Sequence, residues 1–163
     1  MLSTKGTQAL MARLKKDKSK LLNNLAQTHR NLVAAQFKDV VRMTPQWSGN
    51  LASNWYITFT GESAAYHQTA DYGAMDITPY SIGMNPAVDA TIKRELTKLS
   101  KIKYNTKVTF VNLAPYASEV ESGEGPNGKP IRPINYTYGP LLMTAFLEMK
   151  YKNLKTIRKV VNV

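Results

Sequence analysis

The chain has 163 residues, 43% of them hydrophobic, which is one domain by length and enough for a buried core. It contains no cysteine, which excludes a disulfide framework and a thiolate metal site and fits assembly in a reducing cytoplasm. No apolar run approaches the ~20 residues that a membrane span needs, and Met1–Gly6 lacks the apolar stretch of a secretory signal.

The formal charge is +11, and its placement is informative. Residues 1–45 carry nine bases against Asp17 and Asp39, and residues 148–163 carry five against Glu148, whereas 46–147 are balanced. The excess therefore lies at the two ends, where both segments read as helices. Such faces suit a polyanion or an acidic partner, or are simply solvated.

Thr7 to Met43 is expected to be one helix. Leu10, Leu14, Leu21, Leu25, Leu32, Val33, Phe37, Val40 and Val41 recur at three- and four-residue steps and read as one stripe. Thr7 is a suitable N-cap, and Pro45 stops the helix because its ring pushes Thr44 out of the helical region. A helix of this length, ~55 Å at ~1.5 Å per residue, exceeds what so small a body can cover. Val33–Met43 is therefore expected to pack on the body, while Leu10–Leu25 projects or packs on a neighbouring subunit. Asn23-Asn24 marks the point where the helix would fray or kink, since Asn is a poor helix former.

Residues 46–53 turn the chain, with Gly49-Asn50 supplying a positive φ. Asn54–Thr60 alternates, with Trp55, Ile57 and Phe59 on one face and Tyr56, Thr58 and Thr60 on the other, as in a half-buried strand that Gly61 ends. Residues 62–84 suggest one or two short strands and a long loop. Asn85-Pro86 opens a middle helix as cap and first turn, with Val88, Ile92, Leu96 and Leu99 as its stripe to about Ser100. Lys107–Leu113 is a second strand, apolar on both faces and hence central. Ala117–Ser122 follows as a short helical turn, residues 123–139 as a Gly/Pro loop, and a C-terminal helix opens at Gly139-Pro140. Leu142, Ala145, Phe146, Met149, Ile157, Val160 and Val161 share one face of that helix. The fold class is thus α+β, a small mostly antiparallel sheet with the long, middle and C-terminal helices, in one domain over 1–163.

The inventory of chemistry is thin. Gly123–Pro130 approaches a phosphate-binding loop, but Pro130 stands where a Mg²⁺-binding hydroxyl belongs, and it removes a cradling N–H. His29 lacks a second ligand one turn away. His67 has Asp71 and Asp76 near it in sequence, a scattered set of the sort that seldom binds metal. Glu119, Glu121 and Glu124 would suit acid–base work only with a substrate pocket, and none is recognisable; they read better as a charged loop facing a basic neighbour. The basic helices lack the aromatic interleaving of single-strand binders. No catalytic residue, cofactor or metal is expected.

Two sequence motifs stand out. The first is Thr44-Pro45 followed by Ser48-Gly49-x-Leu51-x-x-Asn54-Trp55, where the position of Asn54 takes Ser or Asn. The second is Asn112-x-Ala114-Pro115-Tyr116-Ala117-x-x-Val120-Glu121-x-Gly123. In this order, after a long helix, they resemble the head–tail joining (neck, or tail-completion) proteins of long-tailed bacteriophages. The chain departs from the family where Pro45-Gln46-Trp47-Ser48-Gly49 replaces the frequent P-V-D-T-G, and in the length of 61–84. The resemblance implies a structural virion protein, not an enzyme, assembled in the host cytoplasm. It would form a ring of six- or twelve-fold symmetry with copies of itself, between portal or adaptor proteins and tail or tail-terminator proteins. It would line the DNA passage, touch DNA at most transiently, and meet no membrane. Thr44, Pro45, Ser48, Gly49, Leu51, Trp55, Pro115, Tyr116, Ala117, Glu121 and Gly123 would build its scaffold. Arg13, Lys15, Lys16, Lys18, Lys20, Glu119, Glu124, Lys129 and Arg132 would make subunit or partner contacts. The alternatives are a tail terminator or other minor tail protein and, in a different class, a basic nucleic-acid-binding protein.

Overall fold

A computed structural model describes residues 4–44, 49–67, 86–122 and 160–162. Its first element, α1, is an unbroken helix over Thr4–Met43, ~60 Å long at ~1.5 Å per residue. It starts before Thr7, which is therefore an interior residue and not the cap. It runs through Asn23-Asn24 without a break, the preference of two Asn residues being too small to interrupt so long a ladder. Its end is closed by Thr44, whose N–H donates to the Val41 carbonyl (3.3 Å) and whose hydroxyl donates to that of Val40 (2.9 Å). These bonds satisfy carbonyls that a helix end otherwise leaves open.

The expected single apolar stripe of α1 is in fact two. Ala26, Val33, Phe37 and Val40 are buried against the body, whereas Leu10, Leu14, Leu21 and Leu25 are exposed. At ~3.6 residues per turn the two sets lie about a third of a turn apart. Spacings of three and four fit both sets, so periodicity alone merges them. The root of the helix, from Val33 on, packs as expected on the body, and Leu10–Leu25 projects from it.

A short helix, α2 (Asn50–Ser53), occupies part of the expected turn. Gly49 precedes it with φ 77° and accepts the Ser53 N–H (2.9 Å); this left-handed backbone suits glycine, which has no Cβ. Strand β1 (Trp55–Phe59) follows and ends before Gly61, at φ 84°. Helix α3 (Pro86–Leu96) begins on the proline, then tightens into a 3₁₀ turn over Thr97–Lys101 where a continuous helix to about Ser100 was expected. Strand β2 (Val108–Asn112) leads to helix α4 (Ala117–Ser122), and strand β3 (Val160–Asn162) completes the set.

The sheet order is β1-β2-β3. β1 and β2 are antiparallel, with Ile57 opposite Phe110, while β2 and β3 are parallel, with Phe110 opposite Val160. β2 is central, as its two apolar faces imply. Val160 and Val161, expected on the last helix, are strand residues. Their three- and four-residue spacing from Ile157 fits a helix, but β-branched valines also fit a strand, and β2 offers them an edge. The rest of the expected C-terminal helix lies outside the described residues, as does 68–84 of the segment expected to hold short strands and a loop, while 62–67 is described and carries no strand.

The main core joins α1, α3 and the sheet. Phe37, Val40 and Val41 meet Trp55, Ile57, Val88, Ile92, Ile102 and Phe110. Phe37 sets its ring edge-on to Phe110, with centroids 5.3 Å apart. Higher on the helix, the Arg30 Nε–H donates to the Ile102 carbonyl (3.0 Å), and His29 Nδ1 lies 3.1 Å from that of Lys103. His29 is thus a tether between α1 and the segment after the 3₁₀ turn.

β1 is buried on both faces, not half-buried, because Tyr56 and Thr58 are covered as well. Its free edge is closed by side chains of α3 and of the 3₁₀ turn that follows it. Glu95 is 1% exposed and accepts the Ile57 N–H (2.8 Å). Arg94 donates to the carbonyls of Ser53 (3.1 Å) and Trp55 (2.8 Å), and Lys98 to that of Ile57 (3.1 Å). Both cations also bind Glu95, at 2.7 and 2.6 Å. An open edge is a template for unwanted pairing, and here three charged residues occupy it.

Candidate functional site

The two sequence motifs meet in space. Leu51, from the first, packs with Ala114, Tyr116 and Ala117 of the second. The Asn112 amide donates to the Leu51 carbonyl (2.9 Å), 61 residues away, while its oxygen accepts the Ala114 N–H (3.0 Å). The Asn50 amide lies 3.1 Å from the Tyr116 hydroxyl, and the Leu113 N–H donates to the Asn54 carbonyl (3.1 Å). One corner therefore joins the turn after α1 to the exit of β2. Trp55 links it back to the helix, its indole N–H donating to the Thr44 hydroxyl (2.7 Å), which in turn donates to Val40.

This relay makes Thr44 more than a helix stop. Thr44→Val keeps the shape but removes the acceptor for a buried indole N–H. The expected loss is about 1–2 kcal/mol, read as a lower urea midpoint with a changed Trp55 emission.

Asn54 and Asn112, both wholly buried, stand in the two motifs but were not among the residues expected to build the scaffold. The Asn54 amide donates to the Asn50 (2.9 Å) and His67 (2.9 Å) carbonyls, and its oxygen accepts the His67 N–H (3.1 Å). It thus holds the segment after β1 as a neighbouring strand would. The signal was an Asn at the edge of each strand, where a polar side chain can replace backbone partners.

Tyr56 lies between His67 and two cations, Arg94 of α3 and Lys98 of the 3₁₀ turn. Its hydroxyl is 2.9 Å from the Ala65 carbonyl and 2.6 Å from His67 Nδ1. A phenol has one proton. The hydroxyl therefore donates to Ala65 and accepts from a protonated His67 Nδ1. Arg94 lies over the ring, 4.6 Å from its centroid. Burial raises the Tyr56 pKa above its ordinary value of 10.0, with Arg94 opposing and Glu95 adding to the rise. With Nδ1 engaged, His67 has one nitrogen left for a metal, and no group of three ligands occurs among the described residues. Asp71 and Asp76 lie outside those residues.

The remaining expected residues divide clearly. Arg13, Lys15, Lys16, Lys18 and Lys20 are all exposed on the projecting half of α1. Arg13, Lys16 and Lys20 share a shallow hollow with Asp17, Asn23 and Asn24. Pro115 is exposed before α4, Glu119 is half-buried on it, and Glu121 lies in its last turn. Pro45, Ser48, Gly123, Glu124, Lys129 and Arg132 lie outside the described residues, as does the whole Gly123–Pro130 loop. No helix of the described residues is long and apolar enough to cross a membrane. Comparison with protein-family models, curated proteins and solved structures finds no match. What the described residues define is an α+β body with a reinforced corner and a basic helical arm.

Proposed function

We propose that this is a structural virion protein that forms a ring in the head–tail connector of a tailed phage, between the portal or adaptor side and the tail. The observation that carries the reading is the meeting of the two resembling motifs in one corner, beside the root of an arm that outruns its own body. Such a shape works by contact. Among the described residues the most buried carboxylate, Glu95, holds a strand edge, and the buried Asn54 and Asn112 amides hold turns. Ring closure needs head-to-tail contacts between unlike surfaces of neighbouring copies, and a projecting arm is one such surface.

The test is native mass spectrometry of the protein bound to isolated connector complexes, with imaging of the particle neck. A closed ring of six or twelve copies is the result that the resemblance implies. A monomer in the assembled state, or a particle without the protein, overturns the proposal.

The exposed bases of α1 favour a second reading, a duplex-binding protein, since diffuse phosphate contact needs only lysine density. Tight binding of that sort would impede DNA passing through a connector. Strong, salt-sensitive retardation of duplex DNA would therefore favour the second reading over the first.

A further inference from the structure

We propose that the exposed leucine stripe of α1 is the docking surface for an acidic amphipathic helix of a different protein. The inference stands on the stripe and not on the connector reading.

Leu14 and Leu21 are each 58% exposed, and Leu10 and Leu25 are exposed with them. The stripe faces about a third of a turn away from the residues that pack on the body, so it is not an unfinished extension of the core. The four leucines fall within a sector of about 60°, and exposed Met11 with half-buried Leu22 extends the apolar face on one side to about a third of a turn, a width that one partner helix covers. A helix lying on a membrane surface commonly carries aromatic residues on its apolar face, and this stripe carries none. From Leu10 to Leu25 the seam runs ~22 Å at ~1.5 Å per residue, about two heptads.

Charge selects the occupant. Lys18 and Lys15 flank the seam on one side; on the other Asp17, the single acid of the segment, lies nearest the leucines, with Arg13 and Lys20 outside it and Lys16 behind, so that four bases border the seam against one acid. A second copy of the arm would set these bases against their equals. The chain's own residues 148–163, five bases against one acid, are no better matched. A helix with leucines facing the seam and glutamates beside them satisfies both features, because flanking charges set partner choice in paired helices.

The test uses the full-length protein and two labelled peptides of about four heptads each, with identical leucine seams. One carries Glu at the flanking positions and the other Lys, and binding is read by fluorescence anisotropy. The Glu peptide is expected to bind at least ~10-fold more tightly, with a gap that narrows as salt rises. Leu14→Ser with Leu21→Ser is expected to lose that binding while circular dichroism and the melting curve stay unchanged. Lys18→Glu with Lys20→Glu is expected to weaken the Glu peptide and strengthen the Lys peptide, a reversal that a purely structural role would not produce. Equal binding of the two peptides, or binding of neither, overturns the proposal. So does stripe-dependent dimerisation in sedimentation, or stripe-dependent binding to vesicles of phosphatidylcholine and phosphatidylglycerol in place of the Glu peptide.

Discussion

Replacing Phe37 by alanine is expected to cost about 3–5 kcal/mol, the range for deleting a fully buried aromatic ring. Phe37 is 0% exposed, and its ring stands edge-on to Phe110 at 5.3 Å, so it is where α1 is fastened to the sheet. Against a total stability of ~5–15 kcal/mol for a domain of this kind, that loss is from about a fifth to all of what keeps the chain folded. The measurement is a urea titration followed by far-ultraviolet circular dichroism. The same substitution at Leu14, on the same helix, should stay within ~0.5 kcal/mol, because an exposed leucine has little packing to lose. Similar losses at both positions would show that the arm is covered within its own chain, and would contradict the separation of the two stripes.

Glu95→Ala is the second large effect. It leaves Arg94 and Lys98 without their shared carboxylate and the Ile57 N–H without its acceptor. Removing one partner of a buried ion pair typically costs ~3–5 kcal/mol. Here the Arg94 and Lys98 side chains are 37% and 29% exposed and can turn to water, so about 2–3 kcal/mol is expected. Glu95→Gln keeps an oxygen for Ile57 and should lose less. The alanine variant should also self-associate as its concentration rises, because the freed edge of β1 becomes open to pairing. Sedimentation over a concentration series checks this. A variant as stable and as monomeric as the parent would show that Glu95 does not guard the edge.

Much of the architecture was readable from the residues because the signals are local. Pro45 and the absence of interior proline bound α1, Pro86 opens α3, and the two apolar faces of Val108–Asn112 mark a central strand. Each depends only on near neighbours along the chain. The candidate site was readable in part. Thr44, Gly49, Leu51, Trp55, Tyr116 and Ala117 were singled out as scaffold residues, but the bonds through which they act required coordinates. Glu95 and the bonds made by Asn54 and Asn112 were missed, because a polar residue on a helix or at a strand end looks the same whether it is solvated or buried.

The sequence by itself determined where α1 stops, where α3 opens, which stretches form β1 and β2, and where the charge lies. Period, proline placement and capping act over a few residues, and no distant part of the chain need be known to read them. Only the tertiary structure decided what each face meets. It divided one apparent stripe of α1 into a buried root and an exposed seam, drew Val160–Asn162 beside β2, covered the second face of β1, and closed the two motifs into a single corner. Those outcomes depend on chain segments that return from many residues away, and a periodic pattern records that a face is apolar without recording what will cover it.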